Sequence, residues 1–266
     1  MNSPVTIVTA FMDIGRGEWS GVKNGQPIPS YISRTTDTYF TRFERLLKLK
    51  NPIICFTESK FFDRIKFCRD DVTLINIDTL FQDHQHLVTA IERIQNDHFF
   101  VSFVNNKAVP ERWSSHYIII NLMKSFFVNY AVENNLHQTD TIAWIDFGYA
   151  RTNETCPVGL EWKFDTKDKI NLFSNSPQLD PVPIIQIVKT GVVYIQGCHI
   201  VAPATKWSLM KDLVNAALAN LLNVGLIDDD QTLLLMALRS SPDDFLVHYN
   251  GGSNWFTIFN NFHHND

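Results

Sequence analysis

A run of strand-forming apolar residues that ends on a carboxylate asks for a reason. In "TIAWIDFGYA", Thr141 to Ala150, Asp146 closes the run and Gly148 follows two positions later. A carboxylate at the mouth of an α/β crevice can hold Mg²⁺ or Mn²⁺, hard cations that take oxygen ligands and bridge to phosphate oxygens. An aspartate at that place also suits an N-cap or a turn, and residue type alone leaves both roles open. Gly148 permits close backbone approach to a ligand.

The stretch "DIGRG" after the first apolar run is a second candidate. Backbone N–H groups around Gly15 and the guanidinium of Arg16 suit a phosphate, and Asp13 suits a base or ribose donor; a loop salt bridge is the plainer alternative. Neither a P-loop nor a GxGxxG segment occurs. Lys124 interrupts an apolar helix face, where a lysine either snorkels to solvent or faces an anion. "DDDQ", Asp228 to Gln231, sets three acids at a helix start. Capping and the macrodipole account for one or two of them; a further carboxylate could orient an acceptor hydroxyl or take its proton. His248 could complete a metal site or be structural. Trp162 and Trp255 could stack on sugars or sit in the core. His84 and His86 have no acidic partner at ligand spacing and are assigned nothing; the closing His263 and His264 read as a frayed polar end rather than a site.

These residues need elements to hold them. Val5 to Met12 is predicted as a buried strand, followed by a helix in which Tyr39, Phe40, Phe43, Leu46 and Leu47 recur at helical spacing. Asn51 to Ser59 and Val72 to Asp78 give further strands, with a short helix in "KFFDRIKFCRD" between them. "TLFQDHQHLVTAIERIQND" reads as one amphipathic helix, and a long helix from about Ser114 to Asn134 leads into "TIAWID". Continuous apolar strands separated by helices point to the α/β class, a mostly parallel sheet covered on both faces. Ligands then sit at the carboxyl ends of the strands, so Asp13 and Asp146 should face one crevice. The polar segment from Asn153 to Pro183 is predicted as an excursion or small extra sheet. "IIQIVKTGVVYIQGCHIVA" reads as two strands forming a hairpin about Thr190-Gly191, a small antiparallel element. Helices then start after Ala204, stopping at Gly225, and at the aspartates.

The chain has 266 residues, 45% of them hydrophobic, and a formal charge of −5 from 23 Lys+Arg and 28 Asp+Glu. It is long enough for a full core. Its charges are interspersed, which excludes the footprint of a nucleic-acid binder. Four cysteines without a Cys-x-x-Cys pair argue against a zinc ribbon or disulfide scaffold and for reduced thiols. The N-terminus lacks signal-peptide features, and "YIIINLMKSFFVNYAV" is too short and polar to span a bilayer. A cytoplasmic protein is the expectation, with peripheral association at the inner face of the membrane left open.

Taken in order, "TIVTAFMDIGRGEW", "RTTDTYFTRFERLLKLKNPIICF", "HYIIINLMKSFFVNYAVENN", "TIAWIDFGYAR", "DDDQTLLLMAL" and "WFTIF" resemble the HtrL/YibB (WlaTC/HtrL) family, found near bacterial surface-glycan genes. The pattern is also similar to that of GT-A-fold glycosyltransferases, in which a helix with a basic residue leads to a strand ending in Asp-x-Asp that holds Mn²⁺ or Mg²⁺ on the donor diphosphate. The resemblance implies one GT-A-like domain over 1–266, with 1–150 binding the nucleotide sugar and 151–266 the acceptor. It implies Asp146 as metal ligand with His248 as a possible second, since Gly148 stands where the second acid would be. Asp13, Gly15, Arg16, Lys124 and Gly148 would bind the donor, a UDP-sugar being favoured. Asp229, Asp230 and Gln231 resemble the catalytic "DQ" segment, and Gln196, Gly197 and Trp255 would shape the substrate pocket. The implied activity is hexosyl transfer, with retention by analogy, to a lipopolysaccharide or capsule-type glycan or glycolipid. A non-catalytic nucleotide-sugar or glycan binder and a sugar nucleotidyltransferase are the alternatives; oligomeric state stays open.

Overall fold

The computed structural model describes residues 3–177, 179, 181–252 and 254–262. Strand β1 (Ser3–Phe11) is followed by a small antiparallel hairpin, Val22–Lys23 with Gln26–Pro27, and by helix α1 (Thr36–Leu46). Thr35 caps α1 by accepting from the Thr38 N–H at 3.2 Å, and Phe40, Phe43 and Leu46 form its buried stripe. The alternation continues through β2 (Ile53–Thr57), α2 (Phe62–Cys68) and β3 (Thr73–Asn76). Next come α3 (Gln85–Gln95), α4 (Ser115–Leu122), α5 (Lys124–Glu133) and β4 (Thr141–Ile145). The second half adds β5 (Lys163–Phe164), β6 (Ile170–Ser174), α6 (Ile184–Thr190), β7 (His199–Pro203), α7 (Trp207–Asn223), α8 (Asp230–Ser240) and β8 (Phe245–Tyr249).

One sheet takes strands from both halves, in the order β8-β6-β7-β4-β1-β2-β3, with β5 paired antiparallel to the start of β1. Along that order β7 runs antiparallel to both its neighbours and the other pairings are parallel. The mixed α/β class and its mostly parallel, helix-flanked sheet are therefore as predicted. Alternate residues feed two cores. Val8, Ile54, Ile142 and Trp144 join α3, α4, α5, α7 and α8 on one face. Ile7, Cys55, Ala143 and Ile145 meet α1, Trp162 and Phe259 on the other. All four cysteines are free, with Cys68 exposed and the rest buried. Among the described residues no helix is long and apolar enough to cross a membrane.

Four predicted elements differ. The expected hairpin about Thr190-Gly191 is instead helix α6 and, after a loop, the single strand β7. Pro183 leads into the helix, Ile187 and Val188 are buried while Ile185 is exposed, and Gly191 closes it at φ 69° with its N–H on the Ile187 carbonyl at 2.8 Å. Its β-branched residues imitate a strand, but burial follows the helical period. The long helix before β4 bends at Met123, whose ψ of −5° departs from the helical value of about −42°. The helix predicted over Thr79 to Asp97 is likewise divided, into Leu80–Asp83 and α3. Finally, the polar Asn153 to Pro183 segment contributes β5 and β6, the latter a fully buried strand of the main sheet; its polar and proline residues lie in the connections.

Candidate functional site

Strands β1 and β4 are adjacent and parallel, with Val8 opposite Trp144, so their carboxyl ends open on one crevice. A cavity of about 440 Å³ lies there, and Asp13 and Asp146 both line it. Strand alternation decides which way Asp146 faces: two residues after Trp144, it lies on the side covered by α5. The indole Nε1 of Trp144 donates to Asp146 Oδ1 at 2.8 Å, and Lys124, the first residue of α5, stands 3.1 Å from the same oxygen.

Lys124 is more committed than the sequence suggests. Its ammonium also donates to Asp230 Oδ2 at 2.7 Å and to the Gly197 carbonyl at 2.9 Å. An ammonium has three donors, and all three are used inside the protein. Burial acts to lower the pKa of this lysine, but the Asp146 and Asp230 carboxylates outweigh it and hold the pKa above the usual lysine range. The expectation of a lysine free to meet an anion thus gives way to a buried cation that ties two acids together, although Lys124 still borders the cavity.

The three consecutive aspartates divide into three tasks. Asp228 is buried against Arg112 at 3.2 Å and accepts from the Thr232 hydroxyl at 2.9 Å. Asp229 caps α8, its Oδ1 accepting from the Gln231 N–H at 3.1 Å. Asp230 points inward to Lys124. Asp229 and Gln231 line the cavity, whereas Asp230 lies behind it. Burial, together with the neighbouring carboxylates of Asp230, Asp228 and Glu111, pushes the Asp229 pKa well above the carboxylate range.

The loop after β1 is built around its own side chains. Gly15 adopts φ 73°, and Asp13 accepts from its N–H at 3.0 Å and from the Thr36 hydroxyl at 2.7 Å. Arg16 lines the cavity but is also an anchor: Nη1 donates to the Tyr39 hydroxyl at 2.5 Å and Nη2 to the Ile32 carbonyl at 2.9 Å, beneath the rings of Trp19 and Tyr117. Gly148 and Trp255 line the same cavity. Gln196 is buried, donating to Asn175 Oδ1 at 2.5 Å, and does not line it. His248 is not brought to Asp146. Its Nε2 bonds to Asn171 Oδ1 at 2.8 Å on the far side of the sheet order, with its ring packed on Phe173 and Phe262. His84 and His86 lie at and just after the start of α3, and His263 and His264 lie outside the described residues.

Several cavity residues escaped sequence reasoning: Arg34, Tyr39, Glu111, Tyr117 and Arg151. Arg34 and Arg151 flank recognisable pieces, "SRTTD" and "FGYAR", but nothing local marks them as neighbours. Glu111 is pushed up to about 7, chiefly by burial, with Arg112 opposing and Asp228 adding to the rise.

A divalent cation held by the protein needs several hard oxygen ligands. Among the described residues no group of three or more His, Cys, Asp or Glu is arranged to hold one. Asp146 has its Oδ1 already shared by Trp144 and Lys124, and Asp13, the other strand-end acid at the crevice, accepts from the Gly15 N–H and the Thr36 hydroxyl. The donor set does not fit the Mn²⁺ or Mg²⁺ site expected of Asp146 with His248.

Over residues 3–264 the sequence matches the family model described as "Bacterial protein of unknown function (HtrL_YibB)". Protein HtrL of Escherichia coli (strain K12) is 34% identical over 274 residues, covering 100% of this chain and 94% of that protein. Among solved structures, mouse xyloside xylosyltransferase 1 in its apo form is similar at a TM-score of 0.44 and 11% identity, covering 91% of this chain and 84% of that one. The glycosyltransferase GlyE of Streptococcus pneumoniae TIGR4 is similar at 0.41 and 10% identity, covering 92% of this chain and 45% of that one.

Proposed function

The chain belongs to the HtrL_YibB family, and from its cavity we propose that it is a glycosyltransferase. It moves a sugar of hexose type from a nucleotide-diphosphate sugar, UDP-sugar favoured, to a bacterial surface glycan or glycolipid, working at the cytoplasmic face of the membrane. One observation carries this reading. A single cavity at the strand carboxyl ends gathers hydroxyl-binding groups from the sheet and from α8, Asp146 with Asp229 and Gln231, together with the cationic side chains of Arg16, Arg34 and Arg151. Its volume of about 440 Å³ falls within the range of small-molecule sites, roughly 300–1,000 Å³.

Glycosyl transfer needs a stabilised diphosphate leaving group and a positioned acceptor. Guanidinium groups beside the breaking sugar–phosphate bond favour the charge that develops there. Asp146, held in orientation by Trp144 and Lys124, accepts from a ribose or sugar hydroxyl. Asp229, whose pKa burial and its acidic neighbours raise, faces an oxygen of the sugar or acceptor from the start of α8, with Gln231 beside it. The Asp-Gln pairing points to retention of configuration by analogy alone. A second reading has its own support. Asp146 and Asp230 are both engaged by Lys124, as they would be in a protein that binds a nucleotide sugar without turning it over.

Release of nucleoside diphosphate from a panel of nucleotide sugars separates the two. We expect one donor to be consumed, and Asp146→Asn and Asp229→Asn to lower that turnover on the order of 10²-fold with the fold intact. Binding of a donor with no turnover, with glycan acceptors supplied, would overturn the transferase reading in favour of the binder.

A further inference from the structure

Three arginines from separate stretches of chain meet beside Asp146. Arg34 lies in the loop before α1 and Arg151 in the turn after β4, and both line the cavity. Arg42, on α1, stands behind Gly148: a Cβ added at Gly148 would lie 3.8 Å from Arg42 Cδ and 3.0 Å from the Tyr39 ring. The absence of a side chain at 148 is what lets α1 approach this wall.

The backbone there is fixed while the charges are not matched. Arg45 Nη1 donates to the carbonyls of Ala150 at 3.2 Å and Arg151 at 2.8 Å, pinning the turn. The Arg151 guanidinium lies 4.3 Å from the centre of the Phe256 ring. Arg34 Nε donates to the Tyr31 carbonyl at 3.1 Å. Arg42 Nη1 and Arg151 Nε are out of solvent, and neither meets a hydrogen-bond acceptor among the described residues. Buried polar groups are nearly always satisfied, so unpaired guanidinium nitrogens at a cavity call for an explanation. The three also repel one another. Burial and then the charges of Arg34 and Arg42 push Arg151 down to about 10, and burial with Arg34 lowers Arg42. A bridging anion would relieve both defects, and the planar fork of a guanidinium suits phosphate oxygens.

We propose that Arg34, Arg42 and Arg151 form the seat of the donor's diphosphate and bind it without a divalent cation. Arg34 and Arg151 make the direct contacts, and Arg42 adds charge from behind Gly148. This rests on the glycosyl-transfer reading for the identity of the ligand, but not for the anion site itself. It also accounts for the poor fit of the acidic residues to a metal: the charge that a cation would supply is already built into the wall.

The test uses the full chain with inorganic pyrophosphate and UDP, followed by calorimetry and thermal shift in EDTA and again with Mn²⁺. Pyrophosphate is expected to bind in EDTA. Arg34→Gln and Arg151→Gln should each weaken it at least about tenfold, and Arg151→Lys should retain part of the affinity. Because each Gln variant removes repulsion, the ligand-free melting temperature should hold or rise, which separates lost binding from lost folding. Binding that requires Mn²⁺, or that is equal in wild type and Gln variants, would overturn the seat. Arginine-dependent pyrophosphate binding without turnover of any nucleotide sugar would keep the seat and overturn glycosyl transfer. Turnover that needs Mn²⁺ and ignores the arginines would do the reverse.

Discussion

Gly197 and Asp230 are closer than any side chain at 197 would allow. A Cβ there would sit 2.1 Å from Asp230 Oδ2 and 2.7 Å from its carboxyl carbon. The Gly197 carbonyl and that same carboxylate oxygen both accept from the Lys124 ammonium. The loop before β7 is thereby drawn onto the start of α8, and the pair holds two sides of the crevice together.

Gly197→Ala should therefore act through Asp230 rather than through backbone strain. The displaced carboxylate leaves Lys124 partly unpaired in a buried setting, and overpacking adds to the cost. We expect a loss of about 2–4 kcal/mol in urea unfolding. Gly252→Ala, where an added Cβ meets nothing within 4 Å, is the control and should stay within about 0.5 kcal/mol. Equal stability of the two variants would contradict the close approach.

Lys124→Met removes the ammonium and leaves Asp146 and Asp230 facing each other. Breaking a buried pair from one side typically costs about 3–5 kcal/mol, and that is the expected loss at pH 7. Burial already raises Asp230, with Lys124 opposing the rise, so without the lysine Asp230 should take up a proton more readily. A group whose folded pKa is raised binds more protons in the native state, so the variant should regain stability as pH falls through the carboxylate range. Lys124→Met/Asp230→Leu should recover much of the loss at pH 7. A double variant as unstable as the single one would mean that Lys124 matters for packing rather than for charge.

The sequence showed most where a periodic signal and a chemical one coincide. Asp146 could be placed because a continuous apolar strand must end at the crevice, and the parity of Trp144 and Asp146 then determines the face. That one of the three aspartates caps α8 follows from their place before a helix, but only the structure shows that it is Asp229. Lys124 was visible as an anomaly on an apolar face, but its partners come from residues 146, 197 and 230, and no local pattern encodes such distances. Arg34 and Arg151 were illegible for the same reason: each looks like an ordinary loop arginine until the sheet and α1 bring them together. His248 failed in the opposite sense. Its residue type suits a metal, yet the sheet order puts β6 and β7 between β8 and β4. Helix α6 was misread because isoleucine and valine favour strands, while tertiary burial selected a helix.

Glu111 gives the pH dependence its sign. It lines the cavity, and burial pushes it up to about 7 from an ordinary value of 4.5. Between those values the native chain keeps a proton that the unfolded chain has released, so stability should fall as pH rises through that window. Full burial would make the effect about 3 kcal/mol at 1.36 kcal/mol per unit, but Glu111 is only partly buried, and about 1–2 kcal/mol is the expected size. Glu111→Gln, which cannot ionise, should flatten the decline and be more stable than wild type at pH 8 by that amount, with little difference at pH 4. Urea midpoints of the two proteins across that range measure it directly. A parallel decline in both would assign the pH dependence to Asp229, the other cavity acid raised by its surroundings, and would leave Glu111 as an ordinary partly solvated carboxylate beside Arg112.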